Sequence, residues 1–245
     1  LGEPLRAAPW DLEARSEGGL ATAQGGERKE TIPQGYYVDF TTIADDFGCD
    51  CIGIQYQQGL KDLAPTSDLA EGLLNEQDRP PAYAEDGREL YPGQPLPHFN
   101  EVDWGCGVDA LITNRVWTAM GLNPSTSLHD VRWGDAWGDD FVWVMEISGS
   151  VPPSHLRGGY AGVTSQRQPP MYFRLGGGTI KGVSKPGPVV YSRVFLMDGK
   201  LQVDMGIGEA IELPDPQQYE LQSAHSDWLT ATTPGWRRRR STVMA

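Results

Sequence analysis

Apolar and polar residues recur along this chain with two different periods, and the change from one period to the other divides it. In residues 36–47 the apolar positions repeat at helical spacing, and Gly48 follows as a C-cap candidate. Residues 51–55 are a short apolar run ending in Gln55, the pattern of a buried strand whose first polar residue emerges at its carboxyl end. In open α/β sheets that end is where ligands bind. Asp68 is placed to cap the next helix, with Glu71 three residues on and Leu69, Leu73 and Leu74 facing inward. Residues 79–97 are rich in Pro and Gly and predict a long loop, functional or inserted. Val108, Leu111, Ile112, Val116 and Met120 then fall on one helical face, closed by Gly121 and Pro124.

Beyond residue 130 the period shortens to two. Phe141, Trp143, Met145 and Ile147 alternate with Val142, Val144, Glu146 and Ser148, which predicts a strand. Further strands are expected over 171–175, 189–197 and 201–205, the last two joined by an Asp198-Gly199 hairpin turn. Residues 1–36 show no period and are expected to be irregular, with Trp10 and Leu12 docking locally. The alternation of helix and strand in the first half predicts an α/β domain with a parallel sheet over 1–125. The second half, 126–245, is expected to be β-rich and mainly antiparallel.

Composition narrows the function. With 33 acidic against 20 basic residues and a net charge of −13, the chain is a poor match for nucleic acid, which needs clustered cations. The basic run at 237–240 is short and is read as a solvated loop. No apolar run is long enough to span a membrane, and no signal peptide is visible. Three cysteines give no disulfide framework, which fits a reducing, cytoplasmic setting. Cys49 and Cys51 lack a second pair to complete a tetrahedral metal site and read as small buried hydrophobes.

The stretch with most chemistry runs from Phe99 to Trp133. Glu101 follows a Pro-rich approach, and Asp130 sits in a short segment that reads as a strand. Two carboxylates at strand ends supply oxygen ligands for a hard divalent cation, and one of them can also move a proton. The plain alternative is that both are solvated surface groups in an acidic chain. Asp103, the nearest rival, is read as a helix N-cap or as an acceptor behind the ligands. His129 precedes Asp130 and, on a strand, faces the other way. No histidine is a convincing ligand: His225, in a polar stretch near Trp228, is the only stand-in, and a lone His is more often a surface or hydrogen-bonded residue.

The order of these segments resembles the L-fucose isomerases and their D-arabinose isomerase relatives. Glu101-Val102-Asp103, Gly107, Ala110-Leu111 and Asp130-Val131-Arg132 are similar to that family's metal-site pattern. The likeness extends upstream through the segments 50–57 and 68–75. Downstream it takes in Ile147-Ser148-Gly149-Ser150, Phe173-Arg174-Leu175-Gly176-Gly177-Gly178, Ser192-Arg193-Val194 and Glu212-Leu213-Pro214. It covers roughly residues 48–245.

The resemblance implies a Rossmann-like α/β domain followed by a barrel-like C-terminal domain, with the site at their seam. It implies a metal-dependent aldose-ketose isomerase working through an enediol. Glu101 and Asp130 would be both metal ligands and catalytic groups, with Gln55, Ser148 and Trp228 contacting the sugar. The implied cofactor is Mn²⁺ or another divalent cation, and the implied assembly is a homo-oligomer, a hexamer. Family members carry a third metal ligand, a His, beyond the segment matched by 241–245, so the chain is expected to be part of a longer protein. The alternatives are a non-catalytic sugar-binding or scaffold protein of the same fold, and an isomerase-like enzyme acting on a modified sugar.

Overall fold

The computed structural model describes residues 13–15, 19–21, 34–100, 103–137, 140–146, 150–165, 167–168, 170–211 and 235–238. These residues form a mixed helix and strand structure with small sheets, and the described strands close no barrel. A short antiparallel pair, β1 (Glu13–Arg15) and β2 (Gly19–Ala21), comes first. It is followed by helix α1 (Gln34–Asp46), which ends at Gly48 with φ +62°. Strand β3 (Ile52–Ile54) follows, then a π-helical turn (Tyr56–Leu60) and helix α2 (Asp68–Leu74).

Every residue of α2 is buried, including Asp68 and Glu71. A buried polar group stays favourable only when it is hydrogen-bonded. The Asp68 carboxylate accepts from the Gln168 amide, and Glu71 accepts from the Ser67 hydroxyl. The N-cap is therefore Ser67, one residue before the expected Asp68. The shift follows from Asp68 being engaged by a segment a hundred positions away, a contact that local spacing does not reveal.

Residues 79–97 are not irregular. They hold a small hairpin, β4 (Ala82–Tyr83) and β5 (Glu89–Leu90), folded around the buried Arg79 guanidinium. Arg79 donates to the carbonyls of Leu90, Tyr91 and Gln94, each at 2.8 Å, and to the Tyr37 hydroxyl. One cation that meets four acceptors holds the segment without a long strand. The chain then enters β6 (His98–Asn100), parallel to β3, and helix α3 (Trp104–Ala119), which ends at Gly121 with φ +69°.

The larger sheet has the order β7-β8-β11-β10-β9: β7 is Asp130–Trp137, β8 Asp140–Glu146, β9 Gly187–Met197, β10 Lys200–Ile211 and β11 Gly235–Arg238. All its pairings are antiparallel. The Asp198-Gly199 turn joins β9 to β10 with positive φ at both residues, the backbone a tight twisted hairpin requires. Two expectations fail in this half. Residues 171–175 form turns rather than a strand, with Met171 well exposed. Arg237 and Arg238 lie in β11, between β8 and β10, and not in a loop; in backbone register Arg237 pairs with Glu209 and Arg238 with Gly208.

The main core joins Tyr37, Leu69, Leu73, Leu74, Leu90 and Leu96 to Val151, Leu156, Val163 and Ile180. It thus draws side chains from both sides of residue 125. Glu76 reinforces this seam, accepting from the Ser125 hydroxyl at 3.3 Å and from the Ser154 backbone N–H.

Candidate functional site

The parallel pair fixes the geometry of the candidate site. Ile52 pairs with His98, Gly53 with Phe99 and Ile54 with Asn100, so β3 and β6 end level at one carboxyl edge. Gln55 stands directly after β3 at that edge. Its side-chain oxygen is buried and has no hydrogen-bond partner among the described residues. A buried acceptor left without a donor costs about 1–3 kcal/mol, so such an atom marks a place where a ligand hydroxyl or amide would be stabilised. The π-helical turn that begins at Tyr56 is the kind of local irregularity common beside functional sites.

Helix α3 starts beside the same edge. Its N-cap is Asp103, whose carboxylate accepts from the Cys106 N–H at 3.4 Å, the role expected for it. The Phe99 ring sits between Gly53 of β3 and Gly107 of α3, and a Cβ at either glycine would collide with it. Two glycines therefore let one aromatic side chain lock two strands and a helix together. On its other side α3 meets the larger sheet. Gly105 lies against the Val194 carbonyl, and the Ser192 hydroxyl donates to Asp109 at 2.7 Å.

The cysteines near the edge are chemically quiet. Burial pushes the Cys51 thiol up to about 11, with neighbouring Cys49 adding to it. Burial and the Asp103 carboxylate hold the Cys106 thiol at about 12. Protonated thiols are poor metal ligands and poor nucleophiles. The Cys51 thiol instead points at the Gly107 carbonyl, 3.6 Å away.

Asp130 is the first residue of β7, exposed, and pairs in register with Glu146. It thus stands at the start of its strand, with a side chain open to solvent. His129, next to it, is half-buried; burial first, and then His155, hold its imidazole near a pKa of about 4. His155 also lies below the ordinary histidine value, through burial, and its Nε2 is 3.1 Å from the Ser125 carbonyl. Glu101, Ser148, Trp228 and His225 lie outside the described residues. Among the described residues no three His, Cys, Asp or Glu side chains converge as a cation's donors. The expected donor set draws on Glu101, outside them, together with Asp130.

Sequence reasoning missed the polar group behind the edge, formed by Ser67, Glu71, Asn75 and His98. Glu71 and His98 are each about 1% exposed, with Oε2 and Nδ1 3.5 Å apart. Burial pushes His98 down to about 3, so the imidazole is neutral and the contact is polar rather than ionic. Asn75 directly after the last residue of α2 was the available signal, since Asn is a frequent helix terminator. Its long-range partner is invisible to local pattern.

Compared with models of known protein families and with curated proteins, the chain finds no match.

Proposed function

We propose that this chain acts as a metal-dependent aldose-ketose isomerase of the L-fucose or D-arabinose isomerase type. In this reading residues 1–125 are a Rossmann-like unit and residues 126–245 a β-rich, barrel-like one, in a cytoplasmic homo-oligomer. The observation that supports it best is the level carboxyl edge of β3 and β6, where Gln55 holds a buried oxygen that finds no donor among the described residues. A sugar hydroxyl is a donor of the right kind for that oxygen.

Isomerisation requires a proton to leave the carbon beside a carbonyl and a proton to be added at the neighbouring carbon. Glu101 and Asp130 are assigned to these steps, one carboxylate taking the proton while the electron pair moves into the enediol, the other supplying one to the adjacent carbon. A divalent cation such as Mn²⁺, when bound, would stabilise the negative charge that develops on the sugar oxygens. Gln55 orients the sugar by hydrogen bonding, Ser148 adds a hydroxyl contact, and Trp228 offers an aromatic face to sugar C–H groups.

The test is metal analysis of the full-length natural protein together with conversion of L-fucose and of D-arabinose to the ketose. Conversion that needs the cation and falls at least a hundredfold in Glu101→Gln supports the assignment. Full activity in that variant rejects the role given to Glu101. Saturable sugar binding with no isomerisation under any divalent cation identifies the chain as a sugar-binding or scaffold protein instead.

A further inference from the structure

Strand β6 is three residues long and, among the described residues, pairs with one strand only, β3. On its other edge the backbone of His98 is taken up by a side chain. The Asn75 amide nitrogen donates to the His98 carbonyl at 3.1 Å, and the His98 N–H donates to the Asn75 oxygen at 2.8 Å. A primary amide offers one donor and one acceptor side by side, so Asn75 satisfies the strand edge as a neighbouring strand would. Both residues are buried, 4% and 5% exposed, where an unmet backbone group is costly and a two-bond clamp is correspondingly firm.

Asn75 is itself fixed. It is the C-cap of α2, with its own N–H bonded to the Glu71 and Leu73 carbonyls, and α2 is buried along its whole length. The His98 ring adds a second contact to the same helix through Glu71. The end of α2 therefore sets the position of β6 along its own axis, while Phe99, seated between Gly53 and Gly107, sets its height between β3 and α3. Both constraints act within three residues of the carboxyl edge.

We infer that Asn75 is a positioning residue for the site at the carboxyl edge of β3 and β6, holding β6 by its first residue, His98, in the register that the reaction needs. The inference rests on the isomerase reading and adds to it a residue that touches no substrate. A shift of about 1 Å at a catalytic group costs on the order of a hundredfold in rate, so loosening the clamp acts on turnover before it acts on folding.

The experiment uses the full-length protein carrying Asn75→Ala, Asn75→Asp or Val163→Ala. Val163 lies in the same core, belongs to neither α2 nor β6, and serves as the measure of simple destabilisation. Kinetics are taken at a temperature where circular dichroism shows each variant folded, with hydrogen exchange at the His98 amide alongside. The expected result is a fall in kcat of tenfold or more in Asn75→Ala with KM changed less than threefold. Asn75→Asp, which keeps the acceptor for the His98 N–H, should retain more turnover, and Val163→Ala should match the parent protein. Faster exchange at His98 is expected in Asn75→Ala alone. If the Asn75 variants lose stability but keep kcat, or if Val163→Ala loses kcat equally, the inference is wrong while the isomerase reading stands. A parent protein that neither binds nor converts a sugar removes the isomerase reading, and the inference with it.

Discussion

Helix α2 and strand β10 treat apolar side chains in opposite ways. All seven residues of α2 are buried, among them an Asp and a Glu, whereas β10 exposes Leu201, Val203, Met205 and Ile207 to about the same degree, each near 60%. By composition the two differ little: four of the seven residues of α2 and six of the twelve of β10 are apolar. What separates them is what packs against each: on α2 the Asp68 and Glu71 carboxylates accept from Gln168 and Ser67, whereas on β10 the apolar row stays exposed beside β9, the strand that α3 meets. Hydrophobicity thus marks a face, while burial depends on what packs against it.

Substitutions give that contrast a scale. Leu73→Ala, at a side chain about 1% exposed, is expected to cost about 2–5 kcal/mol through lost burial and the cavity left behind. Denaturant unfolding of the variant measures it. A loss below about 1 kcal/mol would mean that α2 is less tightly packed than described.

Acid should act on the same region. The folded His98 is held neutral down to about pH 3 by burial, while in the unfolded chain it protonates near its ordinary value of 6.5. The unfolded state therefore binds more protons between those two values, and stability falls as the pH drops through that window. The slope is about 1.4 kcal/mol per pH unit for this residue, or about 2 kcal/mol between pH 6.5 and pH 5. His98→Gln should flatten the slope by that amount in unfolding curves taken at several pH values.

Gly107→Ala forces a methyl group into the Phe99 ring and is expected to cost about 1–3 kcal/mol. Adding Phe99→Leu, which frees space, should recover part of the loss. Failure of the second change to help would show that the glycine is needed for another reason. At the small end, Met205→Ala on the exposed row of β10 should change stability by less than about 0.5 kcal/mol. A larger loss there would reveal that the row is covered, and the contrast with α2 would be withdrawn.

How much of this was legible in the chain follows the same division. Helices α1 and α3 and the β9–β10 hairpin could be read because their signals are local: apolar spacing, Asp103 at a helix start, Gly48 and Gly121 at helix ends, Asp198-Gly199 at a turn. The hairpin within 79–97 was hidden because its organiser, Arg79, reads as one more surface cation until its acceptors converge on it. Residues 171–175 carried apolar side chains that suggested a strand, but glycines with positive φ follow at 176 and 177, and Gly177 packs against Thr66. Close approach of backbone fixed that segment, not alternation.

The candidate site divides in the same manner. Gln55 at the end of β3 and Asp103 at the cap of α3 followed from local pattern. Asn75 and His98 did not, since two polar residues 23 apart become partners only once α2 lies against β6. Asp130 was expected at a strand end and opens β7, while Glu101, proposed to act with it, lies outside the described residues.

The most direct measurement is an anomalous-difference map from crystals of the full-length protein grown with Mn²⁺. The proposal predicts a peak that lies between the carboxylates of Glu101 and Asp130, about 2.0–2.3 Å from an oxygen of each, as oxygen coordination of a hard divalent ion requires. Carboxylates that face apart, with solvent or packed hydrocarbon between them and no peak, would contradict it.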